Sequence, residues 1–180
     1  MTIHPYPLLA RRTVTAHLEG REPGDDLWAD LEDSGLAGPA RGCFVSIKTL
    51  GGDLRGCIGT IGPVRYSLAR EIMANAVAAA TRDPRFRPLT GGELAGVKFS
   101  VDVLGLPEEV FSLDGLDPAR WGVIVRRGHQ RGLLLPALEG VDTVEKQVSI
   151  AAQKAGLTSL EGVGLERFSV DRYPEDGVGQ

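Results

Sequence analysis

The amino-acid sequence predicts an α+β fold in which a largely antiparallel sheet is flanked by helices. The predicted elements follow the order helix, strand, strand, helix, strand, strand, strand, helix, strand, which combines hairpins with single helices. The 24 glycines exceed the roughly 13 expected at an average usage of ~7% and fall between short periodic segments, so many turns are predicted. No internal repeat and no polar linker divides the 180 residues, which favours one domain.

The first predicted elements are a helix and a β-hairpin. Apolar residues at helical spacing, beginning with Leu8, predict a helix that runs up to Gly20. Apolar and polar residues alternate in 43–48, and a second strand-like segment covers 54–61. The Gly-Gly-Asp sequence at 51–53 supplies the turn between them. These two segments therefore predict a pair of antiparallel strands.

A second helix, a short helical turn and a third strand follow. Apolar residues recur at every fourth position from 68 to 80 behind Ser67, a plausible N-cap, until the Asp-Pro pair at 83–84 ends the pattern. Residues 90–93, Thr-Gly-Gly-Glu, have the form of a capping box, and their glycines restrict it to a short turn of helix. Clean alternation over 97–103 predicts a strand with one buried face.

The second half of the chain predicts another hairpin, one helix and a last strand. The hairpin consists of strands at 122–127 and 132–135 around a glycine-containing turn. Asp142, with an acidic residue three positions later, opens a helix that ends at the C′ residue Gly156. Residues 167–173 supply the final strand.

Composition excludes several classes of protein. With 20 basic and 24 acidic residues the net charge is −4, and only 10 residues are aromatic, so nucleic-acid binding is disfavoured. The chain contains no apolar run near the ~18–20 residues of a membrane span, and its start lacks the apolar block of a signal peptide. Two cysteines fit a reducing compartment, so a cytoplasmic location without a membrane association is expected. Neither metal-ligand spacing nor a nucleotide motif is present, so no metal and no cofactor are predicted.

Strand parity singles out a cysteine for possible chemistry. If Ile58 faces the core, Arg55 and Cys57 lie side by side on the opposite face of their strand. A neighbouring cation stabilises a thiolate, which is the nucleophilic form of cysteine. Gly56 and Gly59 bracket the sulfur without bulk, so a ligand or an electrophile can approach closely. The pattern therefore predicts a reactive thiol supported by a guanidinium.

A structural role for the same cysteine is the alternative. Most free cysteines are small buried apolar residues, and Phe44 and Ile61 on the face of Cys57 would suit that environment. Cys43 alternates with the core-facing positions of the first strand and is expected to be inert packing. The two cysteines then lie on opposite faces of the sheet, which disfavours a disulfide between them.

The segment 83–88, Asp-Pro-Arg-Phe-Arg-Pro, forms a stiff loop because two prolines restrict its backbone. Arg85 and Arg87 could hold a carboxylate or a phosphate, with Asp83 orienting one of them. The alternative is a helix stop in which Phe86 plugs into the core and the arginines are solvated.

The run Leu-Arg-Gly-Cys-Ile-Gly-Thr at 54–60 resembles the signature of the AMMECR domain family. The resemblance extends through 42–45, 74–81, 83–86, 88–89, 132–136 and 154–157. It implies a single AMMECR-like domain over residues 1–180 with a core of about 8–173. The family fold that it implies is α+β, with a larger and a smaller subdomain around one antiparallel sheet and the signature near a cleft.

The resemblance also implies partners and site residues. Bacterial and archaeal members are typically component A of the AmmeMemoRadiSam set, which implies a radical-SAM protein and a Memo-like protein as partners. A thiol-based enzyme and a role in gene-expression machinery have both been suggested for the family. The implied catalytic residues are Cys57 and Arg55, and the implied binding residues are Gly56, Gly59, Thr60, Asp83, Arg85 and Phe86. A cysteine frequent in relatives is Ala152 here, which argues against a two-cysteine redox mechanism at that position.

Two functions remain open at this point. The first is a thiol-dependent enzyme or modification factor in which Cys57 is the nucleophile, Arg55 supports the thiolate and Asp83 is the candidate general base. The second is a non-enzymatic module whose glycine-rich signature docks another protein's backbone or presents a substrate to the radical-SAM partner. The two differ in the reactivity that they predict for the thiol.

Overall fold

Two four-stranded sheets carry the strands of this protein, whose computed structural model describes residues 3–31 and 34–176. Within these residues the strands are β1 (Cys43–Thr49), β2 (Leu54–Gly59), β3 (Val97–Leu104), β4 (Glu108–Val110), β5 (Gly122–Arg127), β6 (Gln130–Leu134), β7 (Gly164–Phe168) and β8 (Val170–Pro174). The α-helices are α1 (Pro5–Leu18), α2 (Ser34–Ala37), α3 (Leu68–Thr81) and α4 (Val144–Lys154). Short 3₁₀ segments cover Asp25–Leu27, Gly91–Gly96 and Leu113–Gly115. The predicted α+β class is confirmed.

The two sheets have the strand orders β2-β1-β3-β8 and β4-β7-β5-β6. The resemblance implied one sheet, and the sequence predicted one strand over 167–173. That expectation is wrong because the last extended segment is interrupted at Ser169, whose carbonyl oxygen accepts a hydrogen bond from the Gly105 amide at 2.8 Å. Before the interruption the chain pairs with β4 and β5, and after it the chain joins β3.

The chain forms two compact units, and each has its own core. One unit comprises the residues up to Val103 together with those from Asp171 onward, and the other comprises Leu104–Val170. In the larger unit α1 and α3 pack on one face of the sheet, with Leu9, Ile72 and Phe99 among the fully buried side chains. In the smaller unit α4 packs against β5 and β6. Two subdomains of unequal size agree with the fold that the resemblance implied.

Helix α3 approaches β2 closely enough to require a glycine in the strand. Ser67 caps the helix, since its hydroxyl oxygen accepts a hydrogen bond from the Arg70 amide at 3.3 Å. The alanines of α3 keep its inner face flat. A Cβ placed on Gly56 would lie 2.2 Å from the carbonyl oxygen of Ala79, well inside van der Waals contact. Gly56 therefore allows α3 to pack closely on β2, and the contact lies on the core side of the sheet.

Two predicted boundaries move in the structure. The N-cap of α4 is Thr143 instead of Asp142, because the threonine hydroxyl accepts from the Lys146 amide at 3.2 Å. The second hairpin turns over two residues, and Gln130 already belongs to β6. Gly156 ends α4 in the left-handed region, with φ of 72°, as the sequence predicts. Within residues 3–31 and 34–176, every helix falls short of the length and apolar character that a membrane span requires.

Candidate functional site

Cys57 lies in β2, the edge strand of the first sheet, directly opposite Ser46 of β1. The Cys57 amide donates to Oδ2 of Asp83 at 2.9 Å and therefore points away from β1. The pair of Ser46 and Cys57 is thus a non-hydrogen-bonded pair, the kind in which side chains of neighbouring strands come closest. The Ser46 hydroxyl uses this proximity and donates to the Cys57 sulfur at 3.2 Å.

Strand parity places the Cys57 sulfur on the face that does not pack against the helices. Ile58 packs against the core of the larger unit, whereas Cys57 is half-buried. One pair further along the same face, the Phe44 ring lies over Gly59, where a Cβ would be 2.2 Å from a ring carbon. On this face of the sheet, Cys57 therefore has Ser46 opposite it on β1 and the Phe44 ring beside it over Gly59. Glycines precede and follow Cys57 in the strand, at positions 56 and 59.

Cys43 provides an internal comparison for the thiol of Cys57. It is fully buried, and burial raises its pKa to about 12, against an opposing hydrogen bond from Asn75. The predicted core position of Cys43 is confirmed by this environment. Both cysteines are free, and they lie on opposite faces of the sheet.

Arg55 has a different partner from the one that strand parity predicts. Its Nε donates to Oε1 of Glu93 at 2.9 Å, its Nη2 donates to Oε2 at 3.2 Å, and its Nη1 donates to the carbonyl oxygen of Arg87 at 2.9 Å. The Arg55 guanidinium and the Thr90 groups lower the pKa of Glu93 to about 2, with Arg55 as the largest cause. Glu93 therefore balances the charge of Arg55, and a role of Arg55 beside the Cys57 thiolate stays a prediction.

Glu93 is available to Arg55 because of the capping box at the head of the short 3₁₀ segment. Both its oxygens are fixed there, with Oε2 accepting from the Thr90 amide and hydroxyl at 2.9 Å each. A planar carboxylate held in this way matches the fork of a guanidinium. The sequence predicted the capping box, but the 38 residues between Arg55 and Glu93 concealed the ion pair.

Asp83 connects the loop after α3 to the strand that carries the cysteine. Its side chain is buried, with 4% of the residue exposed. In addition to the hydrogen bond from the Cys57 amide, its carboxylate accepts hydrogen bonds from Nε and Nη2 of Arg85 at 3.0 and 2.7 Å. Arg85 first, and then the amides of Cys57 and Arg85, hold the pKa of Asp83 well below its usual range. A carboxylate this acidic is a poor proton acceptor. The candidate general base is therefore better described as a positioning residue.

The stiff loop combines parts of both predicted arrangements, because Asp83 orients Arg85 and both arginines are exposed, but Phe86 does not plug into the core. The guanidinium of Arg85 lies 5.5 Å from the centre of the Phe86 ring, a cation–π contact on a half-buried aromatic. Leu89, not Phe86, is the buried apolar residue of this segment. The Arg85 guanidinium therefore forms both an ion pair with Asp83 and a cation–π contact with the Phe86 ring. The Arg87 carbonyl oxygen accepts a hydrogen bond from Arg55.

Thr60, the last residue of the signature, belongs to a buried polar network. Its hydroxyl donates to Oε1 of Glu71 at 2.6 Å and accepts from Nδ2 of Asn75 at 3.2 Å. The other Glu71 oxygen accepts the amides of Val64 and Arg65 at 2.9 and 2.8 Å. This carboxylate therefore fixes the loop that leaves β2. Thr60 anchors that loop from inside the protein.

Sequence reasoning missed Glu71 and Asn75, although a signal was present. Both lie on the stripe of α3 that also carries Ile72 and Ala76, and all four are buried. A carboxylate and an amide among apolar residues at helical spacing indicate a polar network, since buried polar groups require partners.

A second arginine–carboxylate pair occupies the same face of the sheet as Cys57. Asp102 of β3 lies opposite Phe44 of β1 and is buried, and it accepts Nε and Nη2 of Arg172 at 2.8 and 3.0 Å. Asp102 is the main cause that raises the pKa of Arg172, and the charge of Cys57 adds to it. Cys57 makes the same kind of smaller contribution to Arg85, after Asp83. Two paired guanidinium groups therefore lie within electrostatic range of the sulfur.

The residues of this site provide a thiol and fixed charges. Among the side chains of 3–31 and 34–176, no group of three His, Cys, Asp or Glu comes together as a metal site requires.

Comparison with known proteins identifies the family. The AMMECR1 family model matches residues 8–174, which include the strand of Cys57, the Asp83 loop and α4. The chain belongs to the AMMECR1 family. The AMMECR1 resemblance carried by the signature run is thereby confirmed.

Two relatives and one solved structure illustrate the extent of this AMMECR1 match. A protein of Thermotoga maritima is 51% identical over 174 residues, which cover 94% of this chain and 97% of that protein. A protein of Clostridium acetobutylicum is 46% identical over 171 residues, which are 95% of this chain but 36% of that protein. The crystal structure of an uncharacterised protein from Pyrococcus horikoshii superposes with a TM-score of 0.86 at 26% identity, covering 98% of this chain and 94% of that one.

Proposed function

We propose that this AMMECR1-family protein is a thiol-dependent modification factor in which Cys57 is the nucleophile. The observation that carries the proposal is the hydrogen bond from the Ser46 hydroxyl to the Cys57 sulfur at 3.2 Å, on a half-buried cysteine. A hydroxyl that donates to the sulfur stabilises negative charge on the attacking nucleophile. The buried Cys43, whose pKa is raised to about 12, has no comparable role.

Each neighbouring residue has a defined part in the proposed chemistry. In an acyl transfer, the thiolate forms a bond to the acyl carbon, and the leaving group departs with the electron pair of the bond that breaks. Asp83 holds the Cys57 amide and so fixes the strand, whereas the Ala79 carbonyl and the Phe44 ring fill the space beside Gly56 and Gly59. By the alternation of the ladder the Gly59 amide points away from β1, and it is the candidate donor to a developing oxyanion.

The partners proposed for this activity are a radical-SAM protein and a Memo-like protein, with this chain as component A of an AmmeMemoRadiSam set in the cytoplasm. The signature at 54–60 supports this assignment through the family resemblance. Two free cysteines agree with a reducing compartment.

Alkylation kinetics test the proposed nucleophile. The rate of carboxamidomethylation by iodoacetamide is measured at Cys57 and Cys43 separately, by peptide mass spectrometry between pH 6 and 10. We expect Cys57 to react while Cys43 stays protected in the folded chain. Ser46→Ala is expected to slow Cys57 about tenfold at neutral pH, because a hydrogen bond to a charged group contributes about 1.5 kcal/mol.

Ser100→Ala is the matched control for this experiment. Ser100 lies on β3 opposite Ser46, one strand further from Cys57. The substitution therefore removes a serine hydroxyl from a neighbouring strand and leaves the hydrogen bond to the Cys57 sulfur in place. Equal rates in Ser46→Ala and the unmodified chain would contradict the proposal. A Cys57 rate as low as that of Cys43 would contradict it as well.

A non-enzymatic docking module is the second candidate function, and one observation favours it. Both groups that the sequence offered to assist the thiol are occupied, since Arg55 is paired with Glu93 and Asp83 is too acidic to accept a proton. Under this function Cys57→Ser binds the radical-SAM and Memo-like proteins as well as the unmodified chain does. Co-purification of the three proteins with Cys57→Ser, together with the alkylation rates, separates the two functions.

A further inference from the structure

Helix α3 forms the floor of an open groove of about 800 Å³ in the larger unit. The groove also receives residues from the end of α1 and from the loop that precedes α3. It is lined by three arginines, Arg65, Arg70 and Arg82, and by one acidic residue, Glu22, in a protein whose net charge is −4. Its charge is therefore opposite in sign to that of the whole chain.

Among the residues that the structure describes, two of these guanidinium groups have no acidic partner. Arg70 pairs with Asp25 at 2.8 Å and donates to the Tyr66 hydroxyl at 3.1 Å. The side chains of Arg65 and Arg82 are exposed and form neither an ion pair nor a hydrogen bond with any residue of 3–31 and 34–176. Asp25 therefore already neutralises Arg70, whereas the described residues give Arg65 and Arg82 no carboxylate partner.

Apolar surface lies between the charged ends of the groove. Ala74 and Val77 on the outer side of α3 are partly exposed, and Val64 and Tyr66 at the rim are 71% and 75% exposed. Exposed apolar side chains grouped beside cations are typical of a surface that binds another molecule. The groove is therefore apolar along its floor and basic at its ends.

The length of the groove determines what kind of molecule fits it. Helix α3 has 14 residues and is about 21 Å long at ~1.5 Å per residue. The Arg65 amide donates to Glu71 in the first turn, and Arg82 caps the last turn, so the two arginines lie at opposite ends of the helix. An extended peptide advances ~3.3 Å per residue, so about six residues reach from one end to the other. A single small anion cannot contact both ends.

We propose that this groove binds an extended segment of a partner protein that has acidic residues about six positions apart and apolar residues between them. The acidic side chains pair with Arg65 and Arg82, and the apolar ones lie on Val77 and against Tyr66. The inference goes beyond the proposed thiol chemistry and does not depend on it. A Cys57→Ser chain is expected to bind the same segment equally well, so failure of one proposal is distinguishable from failure of the other.

Peptide selection tests the groove. A display library of random twelve-residue peptides is selected on the full immobilised chain, and the most enriched peptide is labelled with fluorescein for anisotropy titration. We expect enriched sequences with two acidic positions about six apart around apolar residues. Arg65→Glu and Arg82→Glu are each expected to raise the Kd at least tenfold, and added salt is expected to raise it as well.

Arg127→Glu is the matched control, an equal change of charge at a hairpin of the smaller unit, where Arg127 donates to the Glu161 carbonyl. It should leave the Kd within twofold, and melting curves check that all three variants fold. Absence of enrichment, enriched peptides without the acidic spacing, or equal effects of the control and the groove variants would overturn the proposal. Binding of phosphatidylserine vesicles that depends on Arg65 and Arg82, in place of peptide binding, would overturn it in favour of a lipid surface.

Discussion

Replacement of Asp83 by alanine is the sharpest test of how the loop after α3 supports the cysteine. The side chain accepts three kinds of donor, namely the Cys57 amide, the Arg85 amide and the Arg85 guanidinium. Removal of the carboxylate leaves the amides of a partly buried strand and loop without their acceptor, and an unsatisfied buried group costs about 1–3 kcal/mol. The Arg85 side chain is 56% exposed, so its ion pair adds little to that cost.

We therefore expect Asp83→Ala to lower the free energy of unfolding by about 2 kcal/mol, mainly through the lost amide hydrogen bonds. In a chain of this size that corresponds to a fall in Tm of about 4–8 °C. Asp83→Asn keeps an oxygen for the Cys57 amide and is expected to lose about half as much free energy. Urea unfolding and thermal circular dichroism measure both variants, with the exposed Asp142→Ala as a control.

The pH dependence of the same variants follows from the lowered pKa of Asp83. A carboxyl group with a depressed pKa in the folded state stabilises the protein above its unfolded value of ~3.9 and loses that contribution as the pH falls toward the folded value. The advantage of Asp83 over asparagine should therefore be complete at neutral pH and shrink below pH ~4. An Asp83→Ala variant within about 0.5 kcal/mol of the unmodified chain, or an asparagine variant as unstable as alanine, would refute this account of the loop.

Two further predictions concern β2 and its ion pair. Gly56→Ala is expected to destabilise the protein by about 1–3 kcal/mol because the new Cβ clashes with the Ala79 carbonyl. Gly62→Ala is the control and should be neutral, since nothing lies within 4 Å of its Cβ. Equal unfolding midpoints of the two variants in urea would contradict this prediction. Glu93→Gln is expected to lower the free energy of unfolding by at most about 1 kcal/mol at pH 7, since solvent screens a carboxylate that is 39% exposed. The pKa of Glu93 is lowered to about 2, chiefly by Arg55. The difference in unfolding free energy between Glu93→Gln and the unmodified chain should therefore be present above pH ~4.3 and disappear as the pH falls through 2. A difference that persists in acid would contradict the ion pair.

Local patterns were sufficient to predict most of the helices and strands. Ser67 before an apolar stripe, the capping box of Thr90 and Glu93, and alternation over β1 and β3 all depend on neighbours within a few residues. The short strand β4 was missed because its glutamates are exposed and leave no buried alternation. The split between β7 and β8 was missed because alternation along a strand carries no information about which sheet it joins.

The candidate site was predictable where it depends on strand parity and not where it depends on distant partners. Parity separated Cys57 from Cys43 correctly, and the structure shows one half-buried and one fully buried thiol. The partner of Arg55 could not be predicted, because a long flexible side chain selects a carboxylate that tertiary folding brings close. Asp83 was singled out, but its contact with the Cys57 amide requires knowledge that β2 lies at the end of its sheet.

The position of β2 as the outermost strand has a consequence for self-association. Unpaired backbone groups along such a strand normally invite another chain to extend the sheet, the route to β-augmentation and to cross-β fibres. Here the outward amide of Cys57 already donates to Asp83, and Arg55 links the strand to the carbonyl oxygens of Arg87 and Pro88. The loop thus occupies the edge beside Arg55 and Cys57, where an incoming strand would otherwise pair.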